Sequence, residues 1–383
     1  MRRPRELVVT RRTALTSLGS HTTQALAAAR AGLVRTSEFP YHVASPGDEG
    51  DLLLLAHAAH DVTEGFDGAP RLARLVAATL TAHATEYGPL PTGTRMYASL
   101  PDPGRRARTV ALLAEDAREA ALEELDDGER EPLDADAATA LLESAAAASN
   151  WGGPLDVAEA VGVGHTGVVR ALERAATDVE EGRTEVALVA GFDTLLTGRT
   201  IEWLDRVGRL KSPTNATGLP PGEAGVLVAI ETAERARSRG AAALASVDAI
   251  AFAKDPHPFD GGDPAQGGGL DAVLEQLEPL VDERAPQAVV DQNGEVYRGM
   301  DWGFALHRAA ARGGRLDAVR TDFTAGSFGD TAAASAGLGL CVALHALERD
   351  PACGDSVLVL SSSDGADRAG VVLRRIPRDQ GES

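Results

Sequence analysis

The chain of 383 residues is 44% hydrophobic, which allows a large buried core and excludes global disorder. Its 57 acidic and 37 basic residues give a net charge of −20, which disfavours binding to nucleic acid and to an anionic membrane. Two cysteines in different segments, Cys341 and Cys353, predict neither a disulfide framework nor a metal site, and no apolar run is long enough for a membrane span. We therefore expect a cytoplasmic protein that requires no metal and no other cofactor.

Predicted strands and helices alternate along the whole chain, which is the order typical of an α/β protein. In the first part, the pattern predicts strands at 7–10, 51–56, 94–99, 157–161, 185–191 and 226–230, and helices at 22–31, 71–82, 109–125, 135–148, 168–181, 200–207 and 232–239. In the second part, it predicts strands at 243–251, 287–290, 318–321, 356–360 and 370–373, and helices at 270–280, 302–312 and 331–347.

A glycine elbow, Gly162-x-Gly164-x-x-Gly167, joins one of these strands to the helix at 168–181. Backbone N–H groups and the positive end of the helix meet at such an elbow, so that it suits a negative charge. The spacing matches the dinucleotide-binding fingerprint, with Asp193 as a candidate ribose ligand. An elbow of this kind also serves to present a nucleophile in an acyl-binding pocket, and the spacing alone leaves both interpretations open.

The second part of the chain contains a counterpart of the elbow helix. The predicted helix at 331–347 has almost no polar face and is rich in Ala and Gly, which predicts burial on all sides and close approach of other backbones. A dinucleotide-binding domain does not account for this second strand–helix series. We expect the helices at 164–182 and 330–347 to be central and to start in one shared pocket.

The segment from Leu219 to Ala241 carries a longer pattern. It reads Leu-Pro-Pro-Gly-Glu-Ala-Gly, then a strand, then a helix that ends in Arg-Ser-Arg-Gly-Ala, and the chain begins with a strand, a polar turn and a helix ending in Ala31-Gly32. These features resemble the β-ketoacyl-acyl-carrier-protein synthases (ketosynthases) of the thiolase superfamily. The resemblance implies an α/β, thiolase-like five-layer αβαβα fold made of two pseudo-equivalent halves, 1–240 and 241–383.

Ketosynthases use one cysteine and two histidines, and the resemblance places these on three positions of this chain. The cysteine position falls on Gly164, the first histidine on Asn293 and the second on Asp330, so that all three are replaced. The aromatic-glycine loop before the last strand has become 362–365, Ser-Ser-Asp-Gly. Without a thiol no acyl-enzyme forms at the elbow, and an ionised Asp330 would repel a malonyl carboxylate.

His165, Asn293 and Asp330 remain as candidate catalytic residues at these positions. Each also has a structural interpretation: a buried, hydrogen-bonded histidine, a turn asparagine and the N-cap of the buried helix. Cys341 is expected to be buried and inert, and Cys353 to lie in a loop. A further set could line a pocket and gives candidate binding residues: Gly164, Glu295, Tyr297, Arg298 and Trp302.

These residues lead to three functional hypotheses. The first is a degenerate ketosynthase-like protein of fatty acid or polyketide biosynthesis, a pseudoenzyme acting as an acyl-binding or partner subunit, for which chain-length-factor subunits are a precedent in the family. The second is a non-covalent acyltransferase or decarboxylase on the same fold, and the third is a dinucleotide-binding protein.

The resemblance also implies partners. We expect a homodimer or a heterodimer with a ketosynthase, paired through an edge strand at 185–190, and binding of an acyl carrier protein or an acyl thioester.

Overall fold

The computed structural model describes residues 1–3, 6–44, 51–125, 135–283 and 286–376. The strands in these ranges are β1 (Leu7–Leu15), β2 (Ser37–Val43), β3 (Leu52–Ala56), β4 (Arg95–Ser99), β5 (Asp156–Val161), β6 (Val186–Thr194), β7 (Glu223–Thr232), β8 (Ala245–Lys254), β9 (Gln287–Val290), β10 (Arg320–Phe323), β11 (Ser356–Ser362) and β12 (Asp367–Arg374). The α-helices in the same ranges are α1 (Thr22–Arg30), α2 (His60–Thr63), α3 (Gly68–Tyr87), α4 (Arg105–Arg108), α5 (Glu115–Glu124), α6 (Ala135–Ala147), α7 (Gly167–Glu180), α8 (Gly198–Arg206), α9 (Ala233–Ser238), α10 (Gly268–Leu277), α11 (Val296–Ala311), α12 (Ala325–Phe328) and α13 (Ser335–Arg349).

The strand order shows that one topology occurs twice. Ten strands form one sheet in the order β10-β9-β11-β12-β8-β1-β7-β6-β4-β5, and β2 and β3 form a separate pair. In each half the first strand pairs with the last, followed by the fourth, second and third strands of that half. The halves join where β1 pairs antiparallel with β8 through Val8 and Val9. The predicted duplication is therefore present, and the boundary at residue 240 stays a prediction.

The buried hydrophobic residues form three large clusters, and each cluster lies between a different layer of helices and the strands. Helices α3 and α6 pack on one outer side against β4, β6 and β7. Helices α10 and α11 pack on the opposite side against strands of the second half. Between the two halves lie α7 and α13, which share a core with strands of both. This is the five-layer α/β fold that the resemblance implied.

Small residues allow the two central helices to lie close to the sheet and to each other. A Cβ added at Gly337 of α13 would lie 2.4 Å from Val226, and one added at Gly191 of β6 would lie 2.6 Å from Val168 of α7. Both distances are shorter than real carbon–carbon contacts, so that a side chain at either glycine would push the layers apart. The small-residue composition of the 331–347 segment thus reflects packing.

Several predicted boundaries were wrong for local reasons. Strand β1 continues from residue 10 to Leu15 because Arg12, although charged, is buried and pairs with Glu348 at 2.6 Å. The predicted helix at 109–125 is interrupted by an extended Leu113, and α5 begins only where Glu115 and Asp116 favour a helix N-terminus. Helix α11 begins at Val296, not at residue 302.

The edge strand expected at 185–190 was also wrong. Strand β6 lies inside the sheet, with β7 on one side and β4 on the other. The sheet edge of the first half is β5, which pairs only with β4. In the described ranges, no helix is both long and apolar enough to cross a membrane.

Candidate functional site

The elbow lies where β5 ends and α7 begins. Gly164 has φ +73°, a left-handed conformation that favours glycine, and it opens a 3₁₀ turn over residues 164–166 that leads into α7. The corresponding point of the second half is Ala332, which opens a 3₁₀ turn over 332–334 before α13 and has φ +42°. The two helix starts meet, as expected.

A cavity of about 380 Å³ lies between these two helix starts. Its wall includes Gly164, His165 and Asp330, together with apolar side chains of Leu195, Trp203, Leu204 and Leu219. Charged side chains of both signs complete the wall: Asp102, Arg105, Arg106, Arg108, Asp193, Arg209, Lys254, Asp260, Asp364 and Asp367.

Asn293 and Asp330, the two residues that the resemblance matched to ketosynthase histidines, bind one another. Asn293 Nδ2 donates to Asp330 Oδ2 at 2.6 Å, and His165 Nε2 lies 2.9 Å from Asp330 Oδ1. The same Oδ1 accepts a hydrogen bond from the backbone N–H of Ala332 at 2.8 Å. Asp330 therefore forms an Asx turn that leads into the 3₁₀ turn before α13. The expectation that it is the N-cap of the helix itself was wrong, because α13 begins only at Ser335.

Two arginines surround this group: Arg209, which lines the cavity, and Arg298, which lies behind its wall. Arg298 Nη2 lies 3.2 Å from Nδ1 and 3.3 Å from Nε2 of His165, and 2.9 Å from Asp364. Arg209 forms hydrogen bonds of 2.7 and 2.8 Å with Glu295 and of 2.7 Å with Asp364. Glu295 in turn accepts from Asn293 at 2.9 Å, which closes a continuous ring of polar contacts.

The ring favours the ionised form of two carboxylates, those of Asp330 and Asp364. Burial alone raises the pKa of Asp330, but the contacts with His165 and Arg298 outweigh burial and hold that pKa well below its usual value. Burial also raises the pKa of Asp364, and there Arg209 and Arg298 outweigh it, so that this pKa is likewise low. At neutral pH the former second-histidine position carries a negative charge that is already neutralised by fixed partners.

The space beside the elbow is partly filled by Ser363 of the altered loop. Its Oγ accepts from the backbone N–H of Thr166 at 3.2 Å and donates to the Val163 carbonyl at 3.0 Å. A Cβ added at Gly164 would lie 3.4 Å from this Oγ. Ser363 thus braces the turn, and neither of these contacts is to a general base.

The predicted binding residues do not all reach the cavity. Gly164 lines it, whereas Glu295 and Arg298 lie behind its wall in the polar ring. The Tyr297 hydroxyl accepts from Arg368 at 3.0 Å and donates to the His257 carbonyl. Trp302 is buried in the core between α10, α11 and the sheet, so its assignment to the pocket was wrong.

Neither cysteine lies in an environment that favours the thiolate form. Burial raises the pKa of Cys341 to about 12 and that of Cys353 to about 11. Both side chains are buried, as expected for Cys341. Cys353 lies in the loop between α13 and β11, as expected, and its side chain is buried there. Neither residue supplies the nucleophile that is missing at the elbow.

The structure also removes the dinucleotide interpretation. Asp193 is fully buried in β6, and its carboxylate is held by Arg105 at 2.7 Å and by the backbone N–H of Ala333 at 3.0 Å. The strands on either side of the elbow helix, β5 and β6, are separated by β4 rather than adjacent as in a dinucleotide-binding unit. The Gly162 spacing therefore reflects a turn and no ribose site.

Arg209 and Asp364 were not singled out from the sequence. Arg209 pairs with Glu295, 86 residues away along the chain, and with Asp364, 155 residues away. No sequence periodicity connects positions so far apart. The 362–365 loop, which contains Asp364 and departs from the aromatic-glycine pattern of the ketosynthases, was the one available signal.

Comparison with known proteins gives a fold assignment. No family model matches the sequence, and no curated protein matches it either. Among solved structures, the ishigamide ketosynthase/chain length factor superposes with a TM-score of 0.70 at 17% identity, over 98% of this chain and 100% of that one. A type II polyketide synthase acyl-carrier protein in complex with its ketosynthase bound to the hexaketide gives 0.70 at 14% identity, over 98% and 100%. An oxazolomycin ketosynthase domain of Streptomyces albus JA3453 gives 0.70 at 15% identity, over 99% and 75%.

The chain therefore has the thiolase-like fold of the ketosynthases, and the predicted fold class is confirmed. At these identities the likeness establishes the fold, and function has to be argued from the site.

Proposed function

We propose that this protein is a ketosynthase-fold subunit that does not condense acyl chains and acts as an acyl-binding or partner subunit. The observation that carries the proposal is the pairing of a bare elbow at Gly164 with an ionised Asp330 held by His165 and Asn293. The elbow supplies no nucleophile. The carboxylate opposes the negative charge that decarboxylation of a malonyl group develops.

The same geometry argues against a non-covalent acyltransferase or decarboxylase. His165 is the one residue at the elbow with acid–base chemistry, and it lines the cavity. Its Nε2 is bound to Asp330, and Arg298 Nη2 is nearly equidistant from both ring nitrogens. Both ring nitrogens already have partners, so His165 is poorly placed to take a proton from a substrate.

A partner role is supported by the open edge of the sheet. In strand β5 only Asp156 and Glu159 are exposed, and the half-buried residues include Val157, Ala158 and Ala160; among the described strands, β5 pairs with β4 alone. An unpaired edge of this composition is suited to strand pairing with a second chain, either another copy or a ketosynthase. One structural neighbour is a ketosynthase/chain length factor and another is a ketosynthase complexed with an acyl-carrier protein, which fits such partners.

The test is incubation with an acyl-carrier-protein thioester and a malonyl donor, followed by intact-mass and product analysis. We expect no covalent adduct and no β-ketoacyl product. Any thioester hydrolysis or decarboxylation that is lost in His165→Ala would instead support the non-covalent enzyme. Stable monomer by light scattering at micromolar concentration would contradict the partner role.

A further inference from the structure

Many of the side chains that line the cavity are charged, so the cavity differs from an apolar acyl tunnel. Of the residues lining it, five are basic and six are acidic. The apolar part of the wall can hold an alkyl group, whereas the charged part offers it no polar contact. The near balance of signs also gives no net attraction for a simple anion or a simple cation. A ligand with charges of both signs fits this wall better than either.

Most of the wall charges are already neutralised by each other. The pairs are Arg105 with Asp193 at 2.7 Å, Arg209 with Asp364 at 2.7 Å, His165 with Asp330 at 2.9 Å and Lys254 with Asp367 at 2.8 Å. These contacts occupy the groups that form them, and a ligand gains little by displacing them.

Arg108 and Asp260 are different, because each keeps unused capacity. Arg108 donates through Nε to Asp102 at 2.9 Å, whereas its Nη1 lies 3.9 Å from Asp260, too far for a hydrogen bond. In the described part of the chain, no hydrogen bond joins Nη1 or Nη2 of Arg108 to another residue, and no other residue donates to the Asp260 carboxylate. Their side chains are 44% and 20% exposed, so a ligand can reach both.

The backbone beside these two charges carries no side chain at Gly365. A Cβ added at Gly365 would lie 3.5 Å from Asp260 Oδ2 and 3.8 Å from Arg108 Nη1, so the bare glycine borders both groups. The apolar side chains of Leu195, Trp203, Leu204 and Leu219 line the same cavity. Trp203 is held in place by a hydrogen bond from its Nε1 to Thr109 at 2.8 Å.

We propose that the cavity binds a small zwitterion with an apolar side chain, an apolar α-amino acid, with its carboxylate on Arg108 and its ammonium group on Asp260. This inference rests on the proposed function, since it narrows the ligand of a site that performs no condensation. In an α-amino acid the two charges are on groups attached to the same carbon, and this suits two protein charges that face each other across a gap slightly longer than a hydrogen bond. Arginine binds a carboxylate through paired N–H groups, and a carboxylate accepts strongly from an ammonium group.

Isothermal titration calorimetry on the full chain tests the inference with L-leucine and two analogues of the same side chain, 4-methylpentanoate and 3-methylbutylamine. We expect L-leucine to bind and each analogue to bind at least about tenfold more weakly, because each lacks one charge-assisted contact. In Arg108→Gln and in Asp260→Asn, L-leucine affinity should fall by a similar factor. Both residues are partly exposed, so that these variants should fold.

The pair Arg374 and Asp248 provides the matched control. It is an ion pair of comparable exposure, 37% and 24%, between β12 and β8 and outside the cavity wall. Arg374→Gln and Asp248→Asn should leave L-leucine affinity unchanged. The inference is overturned if L-leucine does not bind, if 4-methylpentanoate binds as tightly, or if Asp260→Asn has no more effect than Asp248→Asn. None of these results produces an acyl adduct, so they leave the absence of condensation standing.

Discussion

His165 Nε2 and Asp330 Oδ1 lie 2.9 Å apart although 165 residues separate them in the chain. One follows the elbow of the first half, and the other precedes the matching turn of the second half. Their contact links the starts of the two central helices. Asp330 is thus part of a fixed ion network, and several consequences can be measured.

The acid stability of the protein should depend on Asp330. Its pKa in the folded state lies below the unfolded value, so the unfolded chain binds more protons in acid. The stabilisation is therefore complete above the unfolded pKa of about 4 and is lost as pH falls below it. Urea unfolding at pH 7, 5 and 3.5 should show a steeper loss of stability for wild type than for Asp330→Asn. Equal slopes for the two proteins would contradict a depressed pKa at this carboxyl.

Removal of Arg298 should be costly. Arg298→Met leaves Asp364 with Arg209 and His165 with Asp330, but it removes the cation that joins these two pairs, and breaking such a buried network typically costs about 3–5 kcal/mol of unfolding free energy. The exposed ion pair of Arg235 with Glu185 gives the control, because Arg235→Met should change stability by less than about 1 kcal/mol. Chemical unfolding of both variants measures the loss of unfolding free energy in each. Similar losses in the two variants would show that the ring around Asp364 adds no more stability than an exposed ion pair.

Replacement of Ala332 by glycine should stabilise the protein. Its φ of +42° is a left-handed conformation that costs a residue with a side chain roughly 1 kcal/mol. Ala332→Gly is expected to raise the unfolding free energy by up to about 1 kcal/mol, whereas Ala333→Gly, next to it in the same turn, should lower it by about 0.5–1 kcal/mol. A loss of stability in Ala332→Gly would mean that the turn is not strained.

A thiol at the elbow should permit acylation without condensation. Gly164→Cys places a nucleophile at the start of α7, where the helix terminus favours a thiolate, but both histidines are still absent. The variant is expected to lose roughly 1 kcal/mol because of its φ of +73°. Gly182→Cys has the same φ and open surroundings at the other end of α7, so it controls for strain and for non-specific thiol reactivity. Thioester acylation should be faster for Gly164→Cys than for Gly182→Cys, and equal rates would place the acyl site elsewhere.

The fold was accessible from the sequence because its largest features are local. The apolar helix predicted at 331–347 corresponds to α13, which begins four residues later at Ser335, and the strand predicted at 226–230 corresponds to β7, which begins earlier at Glu223. Boundaries failed where tertiary contacts override propensity. Arg12 extends β1 only because Glu348, on a distant helix, neutralises it.

The site was accessible only in part. Gly164, Asn293 and Asp330 were located by the family pattern, and the structure places His165 and Asn293 against Asp330. Arg209 and Asp364 were missed because ion pairs between distant segments leave no local signature. The edge strand was misplaced because the order of strands in a sheet differs from their order in the chain.

The central claim is that the protein has the ketosynthase fold without the condensation reaction. The most direct measurement is product analysis with an isotope-labelled malonyl donor and an acyl-carrier-protein thioester, using an active ketosynthase as the positive control and heat-denatured protein as the blank. The account predicts a label in β-ketoacyl product only in the positive control, and no mass increase on the wild-type chain. A labelled product or an acyl adduct on wild type, absent from the blank, would contradict it and would show that another residue has taken over the role of the missing cysteine.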